Sequence, residues 1–309
     1  MTVDYAGEGS ATAASRGWKL RLVRRDEALL ALVFLPPALL LFTVFVALPI
    51  LEAAQYSFFN WNGFGAPEKF VGLQNYVRLF THGAFHTALA NNGLIILASL
   101  LIQMPLALLV ATMLADREPL TDTFRLIFFL PYVLAEVTAG LIWRFIYDGD
   151  YGVVAAMTGW LGLDPVYVLA DRNFAIYAIL LVIVWKYFGL HMILFIAGLQ
   201  QIDRSLYEAA RIDGAGGWTL FRTITLPLLA PTIRLSIFFS VVGALQLFDV
   251  IMPMTAGGPS DSTHTIVTYL YNFGIIRTRF GFGSAVGVVL FLICVIFAFG
   301  YKRTVMRND

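Results

Sequence analysis

Six long apolar runs, near 29–51, 93–114, 124–146, 174–197, 233–253 and 283–301, alternate with polar or aromatic-rich connectors along the chain. Each run holds about the 20 mainly apolar residues needed to cross a hydrocarbon layer. Lipid offers no partner for an unpaired backbone N–H or C=O, so every run is predicted to be helical. Pro36, Pro37, Pro49, Pro105 and Pro131 fall within or at the ends of these runs and are expected to kink them. Composition agrees: 59% hydrophobic residues, 13% charged residues and a mean hydropathy of +0.77 lie outside the range of soluble domains. The predicted fold class is an all-α integral membrane protein with six transmembrane helices.

The charges orient it. Arg16, Lys19, Arg21, Arg24 and Arg25 precede the first run, and Arg117 and Arg125 flank the second connector. Arg204, Arg211, Arg222 and Arg234 occupy or border the fourth, and Lys302, Arg303 and Arg307 follow the last run. These alternate segments share one side of the membrane and carry 14 of the 21 basic residues, which makes that side cytoplasmic. Both termini are thus expected inside: a tail at 1–28, a membrane domain at 29–303 with a large cytoplasmic loop at about 198–232, and a tail at 304–309. The first run follows a basic segment, as a secretory leader would. It is too long for a leader and lacks a small-residue cleavage site at its end, so it is expected to remain as an anchor.

Few side chains offer chemistry. The single cysteine, Cys294, lies inside the last run and reads as a small packing residue. His82 and His86 have helical spacing without an apparent third ligand, so no metal site is expected. H-E-x-x-H, G-x-S-x-G and the phosphate loop G-x-x-x-x-G-K-[ST] are all missing, and no Lys follows a Gly. The chain is expected to be neither an enzyme nor itself an ATP binder. A net charge of +1 argues against nucleic acid as a partner.

The connector between the fourth and fifth runs carries Glu208-Ala209-Ala210-Arg211-Ile212-Asp213-Gly214, with Ile224-Thr225-Leu226-Pro227 beyond it. Adjacent alanines leave a helix backbone open to close approach, Gly214, Gly216 and Gly217 permit a sharp turn, and Pro227 suits the first turn of the next helix. The stretch resembles the EAA loop of the membrane subunits of bacterial ABC importers: E-A-A, three residues, G, nine residues, I-x-L-P. Glu208, Ala209, Ala210, Gly214, Ile224, Leu226 and Pro227 match every specified position. The resemblance implies a type I importer permease fold, with residues around 205 to 219 forming a coupling helix seated in a separate ATPase.

Two further segments narrow the resemblance. Phe70-Val71-Gly72-Leu73-Gln74-Asn75-Tyr76 is similar to the FVGLxNY run that follows the first span of carbohydrate-uptake permeases. Phe248-Asp249-Val250-Ile251, Met254-Thr255-Ala256-Gly257-Gly258-Pro259 and Phe280-Gly281-Phe282-Gly283-Ser284-Ala285 resemble the patterns of permeases for oligosaccharides and glycerol phosphates. Gly257, Gly258 and Pro259 read physically as a tight re-entry turn near the outer surface. The resemblance implies a second permease subunit as a heterodimeric partner, an ATPase dimer that uses ATP and magnesium, an extracytoplasmic solute-binding protein, and a place in the bacterial inner membrane.

Polar residues inside spans usually face a cavity or a neighbouring helix. Gln103, Glu136, Lys186, His191, Gln246 and Asp249 are such residues, and Lys186 sits in the aromatic stretch Trp185-Lys186-Tyr187-Phe188. Rings that stack on sugar C–H faces beside a few polar groups make a carbohydrate site, so Trp185, Tyr187, His191, Ser240, Gln246 and Asp249 are candidates for a substrate pathway. No arginine pair lies at mid-membrane to clamp a phosphate, which favours a neutral sugar or polyol over glycerol 3-phosphate. An ion-coupled secondary transporter is the rival class, but matched broken repeats or a chain of buried acids would mark it, and only isolated Glu136 and Asp249 occur.

Overall fold

The protein is described here by a computed structural model covering residues 29–30, 32–115 and 119–306. The expected tail at 1–28 and the last three residues lie outside the described part. Two compact units divide the chain, residues 1–55 and 56–309. The first holds nearly all of α1 (Leu32–Tyr56), whose apolar run is long enough to cross a membrane.

In the second unit α2 (Gln74–Thr81) leads into α3 (Gly83–Met113), and α4 (Pro119–Val133) into α5 (Glu136–Ile146). The short α6 (Val153–Trp160) precedes α7 (Ala175–Leu199), and α8 (Arg204–Ile212) precedes α9 (Gly217–Gln246). The short α10 (Ile251–Thr255), α11 (Ile266–Ile276) and α12 (Phe280–Thr304) complete it. Among the described residues the only strand-like pairing is an isolated bridge between Phe59 and Phe70.

Among the described residues five helices are long and apolar enough to cross a membrane, and six if the bent pair α4 and α5, with 94° between its halves, counts as one. The third span is therefore broken rather than kinked. The fifth is displaced from the expected 233–253: its helix starts at Gly217 and ends at Gln246, where Leu247 turns extended (ψ 119°). Leu247 and Val250 are buried beyond that end, so apolarity there reports burial in a turn before α10 rather than a continuing helix.

Prolines shape the long helices in a regular way. Five-residue π-helical turns span Thr43–Ala47, Ser99–Gln103 and Phe221–Thr225, and Pro49, Pro105 and Pro227 each follow two residues later. A proline ring collides with the carbonyl four residues back and supplies no donor to it. Widening that turn by one residue moves the carbonyl clear without ending the helix.

Helix α7 is the central post of the second unit. It buries residues on nearly every face, as an apolar helix in a core does, and packs against α3, α4, α5 and α9. One half of it joins Ile95, Ala244, Leu247 and Met254 in a core cluster, and the other joins Met104, Ala107, Ala111 and Leu229. A third cluster gathers Leu79, Phe85, Tyr269, Phe273, Phe282 and Val286 where α2, α3, α11 and α12 meet.

Candidate functional site

Helix α8 begins where Asp203 accepts the Ser205 backbone N–H at 2.9 Å. That bond holds the Asp203 carboxyl below its usual range, and a carboxylate suits the positive end of a helix. The helix ends before Gly214, whose φ of +83° glycine adopts without the strain a side chain would bring. Along it Glu208, Ala209, Arg211, Asp213 and Gly214 are exposed and Ala210 half-buried. Nearby apolar side chains are also uncovered: Ile212 is 87% exposed and Trp218 72%. The helix is tied to the base of α9 by a 3.0 Å hydrogen bond between the Tyr207 and Thr225 hydroxyls. Ile224 is half-buried and Leu226 and Pro227 are exposed, all at the same base.

Farther along α7 and α9 lies a cavity of about 550 Å³. Its polar wall comprises Ser99 and Gln103 on the π-turn of α3, Tyr132 and Glu136 at the break between α4 and α5, Tyr187 and His191 on α7, Ser240 and Gln246 on α9, and Asp249 just beyond. Ile95, Ile183, Leu194, Phe239 and Leu247 are among its apolar walls. The Tyr187 hydroxyl donates to Glu136 Oε1 at 2.7 Å, and His191 Nδ1 bonds Ser236 Oγ. The Ser240 hydroxyl is buried and has no hydrogen-bond partner among the described residues. Glu136 and Asp249 are the charged side chains on this wall, and neither Lys nor Arg lies on it.

Five of the six expected pathway residues, Tyr187, His191, Ser240, Gln246 and Asp249, thus share one wall. Trp185 does not. It sits about 200° around the helix from Tyr187, packs edge-on to Trp143 at 5.3 Å and lines a separate apolar groove with Leu181, Val184 and Phe188. Lys186 also turns away: it is 1% exposed, with Nζ bound to main-chain carbonyls at the end of α4. Sequence reasoning gave no role to Ser99 or Tyr132; the proline at 105, which widens the α3 turn holding Ser99 and Gln103, was the available signal.

The segment with Gly257, Gly258 and Pro259 is no open loop. Gly257 has φ +90°, and a Cβ there would drive into the His264 ring. Thr263 Oγ1 donates to the Gly258 carbonyl at 2.7 Å, and Thr265 Oγ1 to the Leu247 carbonyl at 2.7 Å. From α3, Asn91 Nδ2 reaches the carbonyls of Ser262 and His264 at 2.8 and 2.9 Å, while Asn92 Oδ1 accepts the Ile266 N–H at 2.9 Å. Ser262, Thr263, His264 and Thr265 are buried in consequence. In the first long connector, Asn75 Nδ2 similarly binds the carbonyls of Ser57 and Phe59, each at 2.9 Å.

Residues 28–307 match the family described as binding-protein-dependent transport system inner membrane component. The chain belongs to that family. Among its relatives are the sulfoquinovosyl glycerol transport system permease protein SmoG of Agrobacterium fabrum, 35% identical over 92% of each chain, and the diacetylchitobiose uptake system permease protein NgcF of Streptomyces coelicolor, 33% identical over 92% of this chain and 85% of the other. The lactose transport system permease protein LacF of Rhizobium radiobacter is 34% identical over 86% of this chain and 91% of its own. The fold resembles a chain in the crystal structure of a bacterial ABC transporter involved in the import of the acidic polysaccharide alginate, with a TM-score of 0.80, 25% identity, and 95% and 99% of the two chains covered. This permease is therefore a multi-pass protein of the bacterial cytoplasmic membrane with a type I importer fold.

Proposed function

We propose that this permease carries a neutral sugar, oligosaccharide or polyol into the cell as one of two paired membrane subunits of an ATP-driven importer. The observation that carries the substrate reading is the cavity wall. Hydroxyl, amide, imidazole and phenol groups beside apolar surface match a ligand that needs many weak hydrogen bonds, and the absence of Lys and Arg from the wall disfavours a phosphorylated one. The names of SmoG, NgcF and LacF, all concerned with glycosides or sugars, support the same class.

The energy enters at α8. Its exposed Glu208, Ala209, Arg211, Asp213 and Gly214 beside half-buried Ala210, flanked by uncovered Ile212 and Trp218, suit docking in a groove of a cytoplasmic ATPase dimer, where ATP and magnesium would be consumed. On this reading both termini are cytoplasmic, and the 255–265 segment lies toward the side from which a solute-binding protein delivers sugar. A solved relative bears on that partner: the bacterial alginate ABC transporter was crystallised in complex with alginate pentasaccharide-bound periplasmic protein, and its matching chain is 25% identical to this one.

A pull-down of the tagged permease from mild detergent, followed by sugar uptake in proteoliposomes, tests the reading. Recovery of a second permease and an ATPase, with ATP hydrolysis stimulated by a sugar-loaded binding protein, is expected. Flux by the chain alone without ATP would overturn it in favour of a secondary transporter.

A further inference from the structure

The break in the third span poses a problem that the cavity's chemistry does not address. Helix α4 ends at Val133 within a broken apolar span, and its last carbonyls have no helical partners. The structure assigns their satisfaction to Lys186. Its Nζ lies 3.2 Å from the Pro131 carbonyl, 3.4 Å from that of Tyr132 and 2.6 Å from that of Leu134, so each of the three ammonium protons has an acceptor. A cation at this end of α4 also faces the negative pole of the helix. The next residue grips the other arm: Tyr187 bonds Glu136, which stands in the first turn of α5.

Consecutive residues of the central helix thus hold both sides of the elbow. Gly189 lets α7 close on α4, for a Cβ there would lie 2.7 Å from the Phe129 Cα. Gly140 lets α5 close on α10, where a Cβ would meet the Val250 carbonyl at 2.8 Å. The side chains presented by this elbow, Tyr132 and Glu136, are cavity wall. Lys186 is accordingly a positioning residue: its ammonium touches no ligand and sets where the elbow places its two polar groups. The role in transport rests on the cavity being the sugar path; the role in geometry does not.

Two readouts separate those claims. Cys294, the single cysteine, is replaced by Ser, and a reporter cysteine is placed either at Tyr132 on the elbow or at Gln246 on the opposite wall. The assembled transporter is labelled with a small methanethiosulfonate reagent in proteoliposomes without sugar. Lys186→Met is expected to change the labelling rate at 132 by at least about fivefold while the rate at 246 moves less than about twofold, and Lys186→Arg to restore part of the difference. Equal changes at both positions, or none at either, would overturn the clamp. If Lys186→Met does not accumulate, Tyr187→Phe removes one hydroxyl, and the same pair of rates decides. With sugar, either variant is expected to raise KM by about tenfold with kcat changed less. A clamp-like labelling pattern with unchanged transport kinetics would keep the geometry and remove the cavity as the sugar path.

Discussion

Two connectors carry recognisable motifs, and they use their residues in opposite ways. In the segment from Arg204 to Gly217, the residues that match the family pattern are largely exposed, and the hydrogen bond from Tyr207 to Thr225 ties the helix to the body. In the segment from Thr255 to Thr265, Ser262, Thr263, His264 and Thr265 are buried, and hydrogen bonds of Asn91, Asn92 and Thr265 tie this stretch to α3 and to the end of α9. A motif alone does not say whether its residues face a partner or their own chain; exposure does. The first connector leaves its motif open at the surface, and the second ties its buried residues back to the helices of its own chain.

The contrast can be broken at its strongest point by Gly257→Ala. The new methyl meets the His264 ring in a backbone conformation at φ +90°, so a loss of about 3 kcal/mol is expected from overpacking and strain, seen as a lower temperature of unfolding in detergent. An unchanged midpoint would mean that the segment is not scaffolding. Gly214→Val should separate stability from coupling. Nothing lies within 4 Å of a Cβ there, so strain at φ +83° is the only cost, confined to an exposed turn. The expected result is normal insertion and thermal stability with ATP-driven uptake reduced about five- to thirtyfold, as loss of about one to two kcal/mol of coupling gives. Wild-type uptake in this variant would remove α8 from the coupling path.

Between the two connectors, Glu136→Gln is expected to raise the KM for sugar by about tenfold while leaving heat stability nearly unchanged, since the amide still accepts from Tyr187. The smallest effect concerns acid. Burial holds the His264 imidazole below its usual value; Asp261, 3.3 Å away, opposes this, and Arg277 adds to the burial. Tyr269, whose ring packs edge-on to His264, and His82, bonded to Tyr269 at 3.0 Å, are further titratable neighbours in this cluster, and Thr268 Oγ1 bonds His264 Nδ1. The folded segment binds the His264 proton less readily than the unfolded chain, so its stability is complete above about pH 6.5 and declines as pH falls below that. Amide exchange across 255–265, corrected for intrinsic rates, should rise at pH 5.5 relative to 7.5, and His264→Gln should abolish the difference.

Much of this was readable in advance, and the misses have physical causes. The spans follow from run length, because lipid penalises unpaired backbone irrespective of tertiary detail. The end of the fifth was missed since Leu247 and Val250 continue the apolar run while leaving the helix, their burial coming from contacts the sequence does not display. Trp185 was misplaced because composition favoured an aromatic, whereas helical phase puts it on the face opposite Tyr187. Lys186 drew attention as a rare intramembrane charge, but its partners are main-chain carbonyls more than fifty residues away, exposed by a break that Pro131 announced only as a kink.

The widened turn at Phe221–Thr225 bears on how α9 can be read at all. One residue more than an α-helix requires shifts the phase of everything beyond it by about 100°. The face that Trp218 presents and the face that Ser240 presents are therefore not related by ordinary heptad counting, although they belong to one continuous helix. Shortening that turn by a single residue would act as a screw, swinging Ser240 and Gln246 off the cavity wall and turning Thr225 away from Tyr207.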